Sequence, residues 1–126
     1  MTVRLTLSVL AVAGFAGLSA APAFADATQE IATAGQHAGM AAGSADLKMV
    51  HMHLQHVVNC IVGPAGAGFD KAAGNPCDGK GNGAAADGGD KAKLDGALAK
   101  AKEGIASDDL ATARKDASDV QAMLTK

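Results

Sequence analysis

The sequence predicts an all-α fold, an antiparallel four-helix bundle made of two αα-hairpins that a long Gly-rich, disulfide-stapled loop joins. Three observations predict this fold. The composition is rich in Ala and only 2% aromatic, which favours closely packed helices over sheets. Apolar residues recur at the alternating steps of three and four that a helix packed in a bundle requires. The same spacing returns at an offset of 63 residues, which indicates an internal repeat.

Residues 1–25 are predicted to be a secretory signal peptide. Arg4 supplies a positive charge, an apolar stretch follows it, and an Ala-Phe-Ala tripeptide provides the small-residue pattern of a cleavage site. No later stretch approaches the roughly 20 apolar residues of a membrane span. We therefore expect a periplasmic protein that has no membrane association after signal removal, with a single helical domain over residues 26–126.

The two hairpins are expected over residues 28–61 and 90–125. Their helices are predicted at 28–42, 45–61, 90–105 and 108–125. The apolar seam of the second helix is predicted to consist of Leu47, Val50, Leu54, Val57 and Ile61, and that of the fourth helix of Leu110, Ala113, Ala117, Val120 and Leu124. Ser44 and Ser107 are predicted to be N-caps, since acidic residues follow each of them.

The segment 62–89 is predicted to be a loop, because it carries nine glycines and two prolines. Two cysteines in an exported chain favour a structural disulfide between Cys60 and Cys77. The rival interpretation makes Cys60 a thiolate metal ligand. Such a disulfide ties the first half of the loop to the second helix, and the remainder, 77–89, is expected to be flexible.

Residues 49–60 concentrate the chemistry of the chain, because they hold three of its four histidines. On a helical wheel His53 and His56 fall opposite the apolar seam, which predicts a surface or loop-covered metal site. Imidazole and thioether groups together suit copper, while zinc or nickel at the histidines alone is the alternative. The other candidate ligands are Met49, Met52, His37 and Met40, with His51 less certain. Antiparallel packing is expected to bring His37 and Met40 near Met49 and Met52.

Other function classes find less support in the sequence. The net charge is −2, and a basic face typical of nucleic-acid binding is missing. No set of residues has the pattern of a catalytic site, so no catalytic residues are assigned and an enzyme is not expected. A Cys-x-x-Cys-His motif is absent, and we expect no organic cofactor. The alternative to metal binding is a structural or protein-interaction module, in which the stapled loop and the face of the second helix dock a partner.

The chain also resembles the small metal-binding proteins of the bacterial periplasm. The resemblance covers both hairpins, through EIATAGQHAGMAAGSADLKMVHMHLQHVVNCI and KLDGALAKAKEGIASDDLATARKDASDVQAML. Members of that family are four-helix bundles with His-bearing helix faces, which bind copper and other divalent ions and are thought to buffer or scavenge them. The resemblance therefore implies metal binding here at His37, His51, His53 and His56.

Overall fold

The computed structural model describes residues 26–126, so the predicted signal peptide lies outside the described residues. Within residues 26–126 four α-helices form the fold, and they begin and end within about two residues of the predicted positions. The helices are α1 (Ala27–Gly43), α2 (Leu47–Val62), α3 (Lys91–Ala106) and α4 (Leu110–Leu124). The all-α prediction and the predicted bundle are confirmed. Among the residues that the structure describes, no helix is long and apolar enough to span a membrane.

The helices follow one another around the bundle, with α1 and α3 each packed between α2 and α4. Neighbours run antiparallel, as the contacts of Gly35 with Leu124 and of Gly39 with Gln121 illustrate for α1 and α4. The predicted seams form the core. Only Leu47 and Leu110, at the first position of each seam, stay partly exposed, and the remaining seam residues are buried.

Small residues let the helices approach one another closely. The buried face of α1 is made of alanine and glycine apart from Glu30, and the fully buried face of α3 carries one large side chain, Leu94. At Gly104 an added Cβ would lie 2.6 Å from Leu54 Cδ1, too close for a real contact. The large side chains of α2 therefore fill space that its neighbours leave open.

The predicted N-caps are wrong. Ser44 and Ser107 instead end the preceding helices as C-caps, and Asp46 and Asp109 cap α2 and α4. The Asp46 carboxylate accepts the backbone N–H of Met49 at 3.0 Å. Ser44 Oγ meanwhile donates to the carbonyl of Met40 at 2.7 Å, so it is already engaged with α1. An aspartate adds its negative charge to the positive helix end, which a serine cannot do.

The long loop is folded onto the bundle along its whole length. The predicted disulfide between Cys60 and Cys77 is present, with Cα atoms 5.3 Å apart. The prediction of a flexible tail after Cys77 is wrong, because the N–H groups of Ala84 and Ala85 donate to the last-turn carbonyls of α2 at 3.0 Å. Ala84 itself is fully buried. Carbonyls that the end of α2 leaves free therefore hold the loop.

Candidate metal centre

Three histidines from two helices meet at one point on the surface of the bundle. His53 and His56 are three residues apart in α2, which places their side chains side by side on one face. His37 comes from α1, and it lies as far before Ala45 as His53 lies after it, so the tight turn at 44–46 brings the two to the same level. All three side chains are partly buried.

The facing nitrogens have the separations of metal ligands. Nδ1 of His37 lies 3.2 Å from Nδ1 of His53 and 3.2 Å from Nδ1 of His56. One ligand atom from each of the three residues lies within 4.8 Å of the other two. In a tetrahedral site with metal–nitrogen bonds of about 2.0–2.1 Å, ligand nitrogens lie about 3.3 Å apart. Two of the three nitrogen pairs therefore match the ligand spacing of a three-histidine site.

A backbone carbonyl determines which nitrogen of His56 is free. His56 Nε2 lies 2.7 Å from the carbonyl oxygen of Ala73. A carbonyl only accepts, so Nε2 carries the hydrogen, and in the neutral ring Nδ1 then carries the lone pair. Metal-ligating histidines characteristically donate their second N–H to a carbonyl or carboxylate in this way, which fixes the ring and its tautomer.

The three nitrogens do not satisfy one another by hydrogen bonds. A neutral ring nitrogen has one in-plane position, which holds either a hydrogen or a lone pair. His37 Nδ1 can therefore make one linear hydrogen bond, yet it faces two nitrogens at the same distance. At least one close nitrogen–nitrogen contact stays without a proton between its atoms. A cation that accepts all three lone pairs relieves this contact.

The pKa values of two of the three histidines favour the neutral form that a cation binds. Burial, and then the neighbouring His56 and His53, lowers the pKa of His37 to about 4. Burial, with a further contribution from His56, lowers the pKa of His53 also. Both rings are therefore neutral at pH 7, and a neutral imidazole is the form that binds metal. A metal ion consequently competes with few protons at neutral pH.

The structure separates the predicted ligands into two groups. It brings His37, His53 and His56 together, with His37 one turn further along α2 than expected. His51 lies outside this cluster, because its Nε2 is 2.9 Å from the carbonyl oxygen of Ser107 in the α3–α4 turn. The metal-binding role predicted for His51 stays a prediction. Cys60, in contrast, is in the disulfide, so the rival thiolate interpretation is wrong.

The predicted methionine ligands border the histidine cluster in sequence. Met40 follows His37 by one helical turn and Met49 precedes His53 by one turn. Both methionines therefore lie on the side of the cluster that is nearer the α1–α2 turn. Their side chains are 49% and 42% exposed, which places them among the most exposed large apolar residues. Met52, next to His53 in the chain, is partly buried. Coordination by these thioethers stays a prediction.

The sequence did not reveal the part of the loop that contacts the site. Asn59 is fully buried in α2 and holds the loop at Asp70 and Gly74, on either side of Ala73. The nearest signal is the asparagine itself, since this residue is disfavoured inside a helix unless its side chain has a specific partner. Its loop partner could not be derived, because a backbone carbonyl leaves no trace in the sequence.

Comparison with known proteins gives no relative from which a function for the site could be inferred. No protein-family model matches the chain, and neither a curated protein nor a solved structure is similar to it. Imidazole ligands suit zinc, copper, iron and nickel, whereas calcium and magnesium require oxygen ligands. The cluster is therefore able to hold a transition-metal ion, and its donor set alone does not select among these metals.

Proposed function

We propose that this protein binds one transition-metal ion through Nδ1 of His37, His53 and His56. The observation that carries the proposal is the convergence of three Nδ1 atoms, two pairs of them at 3.2 Å, around a position that hydrogen bonds leave unsatisfied. Burial keeps two of the three rings neutral at pH 7. These properties support a binding site, because the nitrogen–nitrogen contact that no linear hydrogen bond relieves does not stabilise a packed structural face.

We further propose that copper is the physiological ion. Imidazoles bind Cu(II), and thioethers favour Cu(I), so a histidine cluster with methionines one turn away accommodates both oxidation states. Met40 and Met49 are half exposed on the side of the α1–α2 turn, where they are accessible to an incoming ion. Zinc and nickel at the three histidines alone are the alternatives.

The site suits buffering, scavenging or delivery of the ion rather than catalysis. Three protein ligands leave a fourth position for water or for a group on a receiving molecule, which allows exchange of the ion. The disulfide is typical of an oxidising compartment outside the cytosol. We propose the periplasm, in keeping with the predicted signal peptide and with the resemblance to small periplasmic metal-binding proteins.

The interaction-module alternative predicted a different arrangement of the same residues. That alternative gains support if residues 62–69 bury His53 and His56 away from one another. Their ring centroids are instead 5.7 Å apart, and His37 completes the cluster from the neighbouring helix α1. This arrangement favours metal binding over a docking role for the α2 face.

Titration of the protein with Cu(II), Cu(I) and Zn(II) against competing chelators tests the proposal. We expect one ion per chain, and we expect the variant His53→Ala/His56→Ala to lose that site. His51→Ala is the matched control, because it removes a histidine of the same helix that contacts Ser107 instead of the cluster. Equal affinity of the double variant and the parent contradicts the proposed site.

A second pair of variants tests the choice of copper. In Met40→Leu/Met49→Leu the volume is nearly conserved and both thioethers are lost. We expect weaker binding of Cu(I), with Cu(II) and Zn(II) unaffected, since of these three ions Cu(I) is the one that favours thioether sulfur. Unchanged Cu(I) affinity shows that the methionines are not ligands and leaves the three histidines as the whole site.

A further inference from the structure

A single buried asparagine holds the loop beside the histidine cluster. The Asn59 side chain is fully buried and takes part in four hydrogen bonds. Nδ2 donates to the carbonyls of Asp70 at 2.7 Å and Gly74 at 2.6 Å. Oδ1 accepts the backbone N–H of Asp70 at 2.9 Å and Nε2 of Gln55 at 3.0 Å. Every donor and most of the acceptor capacity of this amide is used.

These bonds bracket the carbonyl group that reaches His56. Ala73 lies between Asp70 and Gly74, and its oxygen is 2.7 Å from His56 Nε2. Gly74 adopts φ +92°, a conformation that glycine tolerates and other residues rarely adopt. An added Cβ at Gly74 would lie 3.7 Å from His56 Nε2. The loop therefore bends directly over the imidazole.

From this geometry we infer that Asn59 is a positioning residue for the metal site. It holds the Ala73 carbonyl on His56 Nε2–H, and through it fixes the orientation in which Nδ1 points at His37 and His53. The disulfide lies outside this segment, since Cys77 follows Gly74 by three residues. The part of the inference that concerns metal affinity rests on the proposed function.

The variant Asn59→Ala removes all four bonds, and Gln55→Ala is its matched control. Gln55 donates to Asn59 Oδ1 and to the carbonyl of Gly68, so its loss leaves the three bonds between Asn59 and the 70–74 segment intact. In the metal-free protein, we expect NMR to detect a slowly exchanging His56 Nε2–H in the parent and in Gln55→Ala. We expect rapid exchange of that proton in Asn59→Ala.

Titration with Zn(II) and Cu(II) provides the second readout. Loss of the group that orients a metal-ligating histidine typically weakens binding 10–100-fold, and we expect a loss of that size in Asn59→Ala and little change in Gln55→Ala. If the parent binds neither ion, the proposed function fails while the exchange of His56 Nε2–H still tests the positioning. A folded Asn59→Ala that keeps a slowly exchanging Nε2–H overturns the inference.

A measurement on the parent protein covers the case in which Asn59→Ala does not fold. If Asn59 holds the carbonyl in place, the opening that exposes His56 Nε2–H is the one that exposes the Asn59 Nδ2 protons. Native-state exchange in increasing denaturant then gives one opening free energy for both groups. A His56 proton that exchanges through a separate, lower-energy opening contradicts the role of Asn59.

Discussion

Removal of one proposed ligand is expected to separate the metal-bound stability of the protein from its intrinsic stability. The change is His37→Ala, and the assay is thermal unfolding at pH 7 with and without Zn(II). Free metal at 100 times the dissociation constant stabilises a folded protein by about 2.7 kcal/mol. For a domain of this size, about 1 kcal/mol shifts Tm by roughly 4–8 °C. The parent is therefore expected to gain about 11–22 °C.

The expected response of His37→Ala is much smaller. If loss of the ligand weakens binding about 100-fold, the same metal concentration equals the new dissociation constant and stabilises by only about 0.4 kcal/mol. Without metal the cost is also small, because His37 Nδ1 makes at most one linear hydrogen bond, worth about 1 kcal/mol. The variant is thus nearly as stable as the metal-free parent, yet unresponsive to metal.

The fourth histidine, His51, lies outside the cluster and provides the control. His51→Ala loses its contact with Ser107 and is expected to be slightly less stable, with the metal-induced gain in Tm intact. The reasoning is refuted if His37→Ala keeps the full gain, or if His51→Ala loses it. A large loss of stability in metal-free His37→Ala also contradicts the account of an unsatisfied nitrogen contact.

Three further predictions concern stability. Burial raises the pKa of the Glu30 carboxyl above its ordinary value of 4.5, so its contribution to folding is present below pH 4.5 and is lost as the pH rises through the pKa of the folded protein. Glu30→Gln should therefore stabilise the protein more at pH 7 than at pH 4. Urea unfolding that shows no such difference contradicts this prediction. The pKa shift of His37 has the opposite sign. Because its pKa is lowered to about 4, stability that is present above pH 6.5 is lost as the pH falls towards 4. The stability of metal-free His37→Ala, measured in the same assay, should therefore depend less on pH over that range. Replacement of Cys60 and Cys77 by serine should cost about 3 kcal/mol for a loop of 17 residues, and thermal unfolding that shows a loss below about 1 kcal/mol is inconsistent with it.

Periodicity predicted the bundle because it reports which residues avoid water. The seam of α2 is buried almost as predicted, since any packing of a helix with this pattern must cover the same stripe. The caps were predicted wrongly because Ser44 and Asp46 both have capping side chains. The choice depends on whether the turn lets Ser44 Oγ reach back to Met40, which is a property of the folded turn. The internal repeat itself stays a prediction.

The sequence predicted which histidines form the candidate site, but it did not predict how they are arranged. The wheel placed His53 and His56 together because their spacing fixes their relative direction within one helix. The level of His37 depends on the length of the turn between α1 and α2, and an error of one residue rotates a helix by about 100°. His51 illustrates the limit: it is as close in sequence as the true neighbours, yet its ring reaches the α3–α4 turn.

The α2 face beside the loop differs in chemistry from the corresponding face of α4. At the positions 63 residues after His53 and His56, α4 has Asp116 and Asp119, which contact Lys100 and Lys115 in ion pairs. In an ion pair both charges are satisfied by residues of the chain, whereas three facing imidazole nitrogens are not all satisfied by one another. Three facing nitrogens, beside a loop that a buried asparagine and a disulfide hold, therefore support the proposed binding of a cation from outside.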